Sequence, residues 1–217
     1  MFIVDKDPKA IASESYRTLR TNIQYSSFDK EYRVILVTSS EPGEGKSTTS
    51  GNLALSLAQG DKKVILVDCD LRKPSLHKKF KISNLYGLSD VLIGKETLED
   101  ASGKKGNLTI LTAGKIPPNP SEMLASNAMT NLIEDLKKDY DYIILDTPPV
   151  QAVTDSQILS TKADGTILVV RAEKTKKDSV QNSIGLLRKV NANIIGTVLN
   201  GVDNSRHKYY YYYGEKK

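Results

Sequence analysis

The chain has 217 residues with a formal net charge of +5; 39% of the residues are hydrophobic and 26% are charged. This composition is typical of a globular protein, and the length favours one α/β domain over two. The lysines and arginines are spread along the chain, so the charge gives no reason to expect a nucleic-acid binder. The single cysteine, Cys69, excludes an internal disulfide and fits a reducing compartment.

The start of the chain, MFIVDKDPKA, lacks the apolar stretch of a signal peptide. No apolar run approaches the roughly 18 residues that are needed to span a bilayer. We therefore expect a cytoplasmic protein, for which any link to the inner face of the membrane must come through a partner.

The predicted elements begin with an amphipathic helix at 8–24, which has no preceding strand and is expected to be an appendage that serves assembly. Nearly continuous runs of Val, Ile and Leu then predict buried parallel strands at 33–39, 63–70, 108–114, 142–149, 165–172 and 193–200. Helices are predicted between them at 46–59, 121–138, 155–161 and 177–190. This alternation favours a doubly wound, mostly parallel α/β sheet with helices on both faces.

The domain organisation follows from these elements. We predict one domain over residues 1–203, with an oligomerisation helix at about 8–25, and a flexible tail over residues 204–217. The tail contains five consecutive tyrosines, which suit neither a helix face nor a pleated strand.

The segment SSEPGEGKSTT (39–49) lies between the first predicted strand and a helix, which is the context of a phosphate-binding P-loop. Glycines let backbone N–H groups turn toward phosphate oxygens, and the helix N-terminus adds a favourable dipole. We expect Lys46 to reach the β and γ phosphates, Ser47 to bind Mg²⁺, and Thr48 to lie near the α phosphate. Ser40 stands where the strict pattern has glycine, and a glycine-rich turn before an ordinary helix is the alternative. The predicted nucleotide contacts in this segment are Glu41, Pro42, Gly43, Glu44, Gly45, Lys46, Ser47 and Thr48.

Acidic residues lie near the C-terminal ends of two of the predicted strands. In VILVDCDLRKP, Asp68 and Asp70 share a face of the extended chain, and Cys69 points the other way, as a small core residue would. Ligands bind at this end of a parallel sheet, where Mg²⁺ or Lys46 would offset the repulsion of the carboxylates. In YIILDTPP, Asp146 has a Walker-B arrangement near the water shell of the metal. Solvated loop aspartates and a surface turn are the alternatives. The predicted catalytic residues are Lys46, Asp68, Asp70 and Asp146, and the predicted metal site is Ser47, Asp68, Asp70 and Asp146.

These motifs, in this order, resemble the bacterial tyrosine kinases of capsule and exopolysaccharide systems. That family is a branch of the deviant-Walker P-loop ATPases, which include MinD and ParA-like proteins. The stretches GLSDVLIGK (87–95), LTAGKIPPNPSEML (111–124) and DTPPVQAVTD (146–155) are similar to the same kinases. MinD-like ATPases carry a lysine five residues before the P-loop lysine, where this chain has Glu41. This difference favours a kinase over a partitioning ATPase.

The resemblance implies ATP and Mg²⁺ as cofactors. It also implies that Asp68, Asp70 and Asp146 organise the metal and the attacking hydroxyl. Arg72 completes the D-x-D-x-R motif, with an ion pair as an equally good alternative. The resemblance to related ATPases implies that Asn200 contacts the adenine edge, although an Asn before Gly is also an ordinary turn residue.

The stretch ESYRTLR places Glu14, Arg17 and Arg20 at intervals of three, roughly on one face of the N-terminal helix. This spacing resembles the oligomerisation motif of the kinase family and implies a ring-like homo-oligomer. A solvated charged face is the alternative.

The tyrosine run is interpreted as substrate, because repeated acceptors can enter one site without a fixed register. A tyrosine hydroxyl has a pKa near 10 and needs a base or orientation, and the sequence leaves both Asp68 and Asp70 open for this role. It also leaves open whether transfer occurs within or between subunits, and transfer in trans within an oligomer is the working hypothesis. The alternative is a low-complexity end that associates non-specifically, or an aromatic patch on which the bases of a nucleic acid stack. The predicted phosphoacceptors are Tyr209, Tyr210, Tyr211, Tyr212 and Tyr213.

The family resemblance also implies partners. It implies activation by the cytoplasmic segment of a membrane adaptor of the polysaccharide chain-length type, reversal by a cognate tyrosine phosphatase, and further protein substrates. The expected function is a protein-tyrosine kinase that autophosphorylates its tail and regulates capsular or exopolysaccharide synthesis and export. No nucleic-acid partner is expected. The alternative function is a MinD- or ParA-like ATPase switch without tyrosine kinase activity.

Overall fold

The structure is a computed structural model that describes residues 2–25 and 31–202. Its strands are β1 (Val34–Ser39), β2 (Val64–Asp68), β3 (Ser102–Lys105), β4 (Leu108–Leu111), β5 (Tyr142–Asp146), β6 (Gly165–Arg171) and β7 (Ile194–Asn200). Its helices are α1 (Ile3–Lys6), α2 (Ile11–Tyr25), α3 (Lys46–Ala58), α4 (Leu76–Phe80), α5 (Leu88–Leu92), α6 (Pro120–Ala125), α7 (Asn127–Asp139), α8 (Asp155–Ser160) and α9 (Lys177–Lys189).

Across the described ranges, the seven strands form one sheet in the order β3-β4-β2-β5-β1-β6-β7. Neighbouring strands are parallel except β3 and β4, which are antiparallel. All six strands predicted from apolar runs are present. The prediction of a doubly wound, mostly parallel sheet is therefore confirmed.

The core lies on both faces of this sheet, as the continuous apolar strands predict. In β1, Ile35 and Val37 belong to the cluster that contains Leu53 of α3, whereas Val34 and Leu36 belong to the cluster on the α7 side. Successive side chains of a strand point to opposite faces of the sheet. A central strand that contributes side chains to both hydrophobic clusters must therefore be apolar at every position. This arrangement holds the carboxyl ends of β1, β2 and β5 side by side.

The N-terminal segment ahead of α2 packs into the core, and the assembly role expected of the helix at 8–24 stays a prediction. Phe2 is 5% exposed and Val4 is fully buried. The Phe2 ring lies 4.4 Å from the ring of Phe80, measured between centroids, and covers α3 at Gly51, where an added Cβ would lie 2.1 Å from the ring. Helix α2 also contacts this face through the buried side chain of Ile23.

The helix predicted at 121–138 is two helices, α6 and α7. They are separated by Ser126, which has an extended backbone with φ −63° and ψ 160°. The Ser126 hydroxyl accepts a hydrogen bond from the backbone N–H of Met129 at 3.3 Å. Ser126 is thus the N-cap of α7, and a capping serine inside an apolar pattern breaks the helix in two.

Several elements were missed because they lack an apolar period. Strand β3 has the sequence SGKK and lies at the edge of the sheet, where one antiparallel neighbour suffices and polar residues are tolerated. Helices α1, α4 and α5 have only four or five residues each, too few to show a 3.6-residue pattern.

Candidate active site

The loop between β1 and α3 has the backbone of a phosphate-binding loop. Gly43 and Gly45 have φ values of +83° and +98°, a left-handed conformation that favours glycine. A Cβ added to Gly45 would lie 1.9 Å from the amide nitrogen of Asn200, so a side chain is also excluded sterically. Helix α3 begins at Lys46, so its N-terminal N–H groups face the loop.

Asn200 holds this loop from the opposite side. Its Nδ2 donates a hydrogen bond to the backbone oxygen of Glu44 at 2.8 Å. Sequence reasoning gave Asn200 a contact with the adenine edge, and that contact stays a prediction. Its observed role is to fix the P-loop at the end of β7.

The Glu44 side chain points into the protein and is held by hydrogen bonds. The residue is 2% exposed, and its carboxylate accepts hydrogen bonds from the backbone N–H of Glu41, at 3.0 Å, and from the Thr175 hydroxyl. Glu44 can therefore offer its backbone to a phosphate, but its carboxylate is engaged elsewhere.

Glu41 also bonds to a distant element. Its Oε1 accepts a hydrogen bond from the Ser179 hydroxyl of α9 at 2.8 Å, and Ser179 in turn accepts one from the Gln151 amide at 2.9 Å. Sequence reasoning missed Thr175, Ser179 and Gln151. They lie far from the motif along the chain, and no local pattern distinguishes them from other polar residues.

Lys46 lies at the centre of the predicted catalytic group. Its Nζ donates to Asp70 Oδ2 at 3.0 Å and lies 3.4 Å from the Ser47 hydroxyl. The side chains of Lys46 and Asp70 are only 13% and 7% exposed. Burial alone would lower the pKa of Lys46, but the charges of Asp146 and Asp70 outweigh it and raise the pKa. Lys46 is therefore firmly cationic.

Asp68 and Asp146 face each other across the ends of β2 and β5, where they are register partners and both fully buried. Asp68 Oδ2 accepts the backbone N–H groups of Ser75 and Leu76, each at 3.0 Å. Burial and the charge of Asp146 raise the pKa of Asp68 to about 7. Burial likewise raises the pKa of Asp146.

The hydrogen bonds of the Asp146 carboxylate show whether the site can hold a magnesium nucleotide. Its Oδ1 accepts a hydrogen bond from the Ser50 hydroxyl at 2.9 Å, whereas its Oδ2 is buried without a hydrogen-bond partner in the described part of the chain. A buried orphaned carboxylate oxygen beside Ser47 and Lys46 fits a water molecule of a hydrated Mg²⁺.

The predicted metal site requires ligands other than carboxylates. Within residues 2–25 and 31–202, no three His, Cys, Asp or Glu side chains are grouped closely enough to hold a metal ion. Magnesium is commonly bound through one or two carboxylates together with substrate phosphates, so Ser47 and a nucleotide would complete the shell. Asp68 is already committed to two backbone N–H groups and is less suited than Asp146 to this shell.

Arg72 forms an ion pair, one of the two roles that the sequence left open. Its Nε donates to Asp155 Oδ2 at 2.9 Å and its Nη2 to Asp155 Oδ1 at 3.1 Å. The same Nη2 donates to the Ser121 hydroxyl at 2.8 Å. The segment after β2 is thereby tied to α6 and α8 beside the site.

The three predicted oligomerisation residues are partly used within the chain. Glu14 and Arg17 pair with each other at 2.7 Å, and Arg17 also donates to the backbone oxygen of Pro8. Arg20 donates to the backbone oxygen of Ser56 at the end of α3, at 2.6 Å. Their contact with another subunit stays a prediction.

The predicted phosphoacceptors, Tyr209 to Tyr213, lie outside the described residues. In the part of the chain that is described, no helix has both the length and the apolar character to cross a membrane. Cys69 is fully buried in the core cluster on the α7 side, as expected of a small core residue.

The fold and the site define a P-loop nucleotide-binding protein, and the comparisons with known proteins narrow this class. A family model described as an AAA domain matches residues 32–198. The chain is 44% identical to the tyrosine-protein kinase YwqD of Bacillus subtilis (strain 168), over 97% of this chain and 90% of that protein. The chain therefore belongs to the bacterial tyrosine-protein kinases.

Solved structures agree with this assignment. The kinase domain of the Escherichia coli tyrosine kinase ETK matches with a TM-score of 0.90 at 35% identity, over 99% of this chain and 85% of that one. This chain spans 28% of the length of the Etk protein of strain K12. The septum site-determining protein MinD from Pyrococcus horikoshii, complexed with Mg-ADP, has a TM-score of 0.65 at 28% identity, over 77% of this chain and 69% of that one. The predicted relationship to MinD-like P-loop ATPases is thus confirmed at the level of the fold.

Proposed function

We propose that this protein is an ATP-dependent tyrosine kinase whose first substrate is its own tyrosine run, Tyr209 to Tyr213. Membership of the tyrosine-protein kinases supports the activity. The observation that carries the chemistry is the Lys46–Asp70 ion pair beside Asp146, whose Oδ2 is buried and unpartnered among the described residues. A phosphate-binding loop with the Lys46 cation and an unpartnered Asp146 oxygen beside it suits phosphoryl transfer from Mg-ATP.

In this proposal each side chain has a separate task. Lys46 binds the transferring phosphates, and Asp70 Oδ2 fixes the Lys46 amine at 3.0 Å. Ser47 and Asp146 would hold a Mg²⁺ ion and its water, and the ion would supply neutralisation of the phosphate charge. Asp70 is bonded to Lys46 and Asp68 to two backbone N–H groups, so either carboxylate could accept the tyrosine proton. Without nucleotide, burial raises the pKa of Asp68 to about 7, a value that suits proton transfer near neutral pH.

The test is incubation with Mg-ATP followed by mass spectrometry of the peptide that contains residues 209–213. We expect phosphotyrosine there in the wild-type protein, supplied with its activator, and none in Lys46→Met. Circular dichroism of Lys46→Met is the folding control. Release of inorganic phosphate without phosphotyrosine would instead support the ATPase switch, and it would overturn the kinase proposal.

We also infer partners beyond the chain itself. The proposed assembly is a ring-like homo-oligomer built through Glu14, Arg17 and Arg20, activated by the cytoplasmic segment of a membrane adaptor of the polysaccharide chain-length type. The region that matches this chain makes up 90% of YwqD but only 28% of Etk. This difference in length supports an adaptor whose connection to the kinase varies among the relatives. A tyrosine phosphatase would reverse the reaction, and capsular or exopolysaccharide synthesis would be the regulated process.

A further inference from the structure

A second lysine lies at the phosphate loop and is not part of any motif recognised in the sequence. Lys79, on α4, donates a hydrogen bond from its Nζ to the Thr48 hydroxyl at 3.1 Å. Thr48 is in the first turn of α3, two residues after Lys46. Lys79 is thus the only lysine besides Lys46 whose amine bonds to residues 46–48, within the described chain.

The local structure holds Lys79 in this place. The start of α4 is fixed by Asp68, whose Oδ2 accepts the backbone N–H of Leu76, and the Leu76 side chain is fully buried. The next residue after Lys79, Phe80, packs its ring against Phe2. A five-residue helix anchored on both sides fixes the backbone of Lys79 within reach of Thr48.

The Lys79 amine forms no ion pair with the residues that the structure describes. The lysine is half-buried, and among the described residues no carboxylate is within ion-pair distance of it. Its partner is a neutral hydroxyl at the N-terminal turn of α3, where the helix dipole is itself positive. A partly buried ammonium without a counter-charge is unfavourable, so this position is electrostatically suited to an anion.

We propose that Lys79 is a further nucleotide-binding residue, which binds the α-phosphate together with Thr48. This inference rests on the proposed nucleotide site. The P-loop lysine serves the β and γ phosphates, and the first turn of the following helix lies at the α-phosphate end of the loop. Lys79 therefore binds the α-phosphate, which ATP and ADP share and which does not take part in transfer.

This position predicts a specific kinetic signature. An interaction that is equally strong in the ground state and in the transition state lowers KM and leaves kcat unchanged. Loss of Lys79 should therefore raise KM for ATP by about tenfold, the size expected for one hydrogen bond to a charged group, with kcat little changed. Loss of Lys46 should instead abolish transfer.

The experiment compares Lys79→Met with Lys78→Met, a matched control because Lys78 is the exposed neighbour on the same short helix. Dissociation constants are measured by calorimetry for Mg-ADP and for a non-hydrolysable Mg-ATP analogue. We expect Lys79→Met to weaken both by the same factor of about ten, Lys79→Arg to recover much of the loss, and Lys78→Met to bind as the wild type does.

Thermal unfolding without nucleotide separates binding from packing. With the unpaired charge removed, Lys79→Met should be at least as stable as the wild-type protein. Equal affinity of Lys79→Met and wild type for ADP, or loss of ADP affinity only in proportion to loss of stability, would overturn the inference. Because ADP binding needs no phosphoryl transfer, a wild-type protein that binds ADP but forms no phosphotyrosine would refute the kinase proposal and leave this inference intact.

Discussion

Asp68 makes the stability of the nucleotide-free protein depend on pH. Its pKa is raised from 3.8 to about 7, first by burial and then by the charge of Asp146. Between these two pH values the folded state holds more protons than the unfolded state, so the free energy of unfolding falls as pH rises from about 4 to about 7. Most carboxylates, which are stabilised in their charged form, have the opposite effect.

We predict that Asp68→Asn stabilises the protein at pH 8 in the absence of nucleotide and Mg²⁺. The amide oxygen can still accept the N–H groups of Ser75 and Leu76, and the buried charge is gone. The gain should be on the order of 1 kcal/mol or more, about 2–4 °C in Tm for a domain of this size. Thermal unfolding at pH 5 is the internal control, because Asp68 is protonated there and the gain should shrink. A gain that is the same at both pH values would contradict this account.

The motif residues of the site were predictable because each is fixed by local sequence. Asp68 and Asp146 end strands, Asp70 comes two residues after one, and Lys46 begins the helix after β1. Parallel strands bring these carboxyl ends together. The residues that hold the loop were not predictable in this way. Thr175 is more than 130 positions from Glu44, and only the packing of the β6–α9 connection beside the P-loop makes the two meet.

Among the elements, helix α3 depends on its contact with the N-terminal segment. Gly51 lies within α3, and a methyl group there would lie 2.1 Å from the Phe2 ring. Glycine inside a helix normally costs about 1 kcal/mol relative to alanine. Here the missing side chain gives the aromatic ring its place.

We predict that Gly51→Ala destabilises the protein by about 1–2 kcal/mol, because overpacking against Phe2 outweighs the gain in helix propensity. In a Phe2→Ala background the same change should be stabilising by about 0.5–1 kcal/mol. Denaturant unfolding of the two single variants and the double variant measures this coupling. Gly185→Ala, in α9, is the matched control and should stabilise, because nothing lies within 4 Å of its added Cβ. Equal effects of Gly51→Ala in both backgrounds would show that Phe2 does not pack there.

Elements were predictable where an apolar period was long and uninterrupted. The bounds of α3 and α9 agree with their predictions to within one residue at each end. The prediction failed at Ser126, where a side chain that caps the backbone overrides the apolar pattern on either side. The helix predicted at 8–24 is present as α2, but a sequence that shows a helix to be amphipathic does not identify the surface that its apolar face contacts.

At the scale of the whole molecule, fewer side chains of the α2 motif are available to contact another subunit than its sequence suggests. Arg20 is bonded to Ser56 of its own chain, whereas Glu14 is 67% exposed and Arg17 is 31% exposed at the side chain. Arg17 also donates to the backbone of Pro8, so the exposed Glu14 is the part of the motif best placed for a contact between subunits. A surface ion pair contributes little to the stability of the monomer, so the Glu14 carboxylate is available to exchange partners.

We predict that phosphoryl transfer occurs between subunits. An extended chain from Gly201 to Tyr209 covers about 25–30 Å, enough to reach a neighbouring site. A Lys46→Met subunit with an intact tail, mixed with an active subunit that lacks residues 204–217, should become phosphorylated on its tyrosines. Light scattering must show that the two subunits assemble. Absence of phosphate on the Lys46→Met subunit, in a mixture that has assembled, would show that transfer stays within one chain.

The hydrogen bond from Asn200 to Glu44 joins two parts of the protein that are otherwise separate in the sequence. Asn200 is the last residue of β7, and Tyr209 follows it by nine positions. The residue that steadies the phosphate loop therefore lies only nine positions before the first predicted phosphoacceptor. Any displacement of the chain at Asn200 would act directly on the backbone of Glu44, and through it on the P-loop.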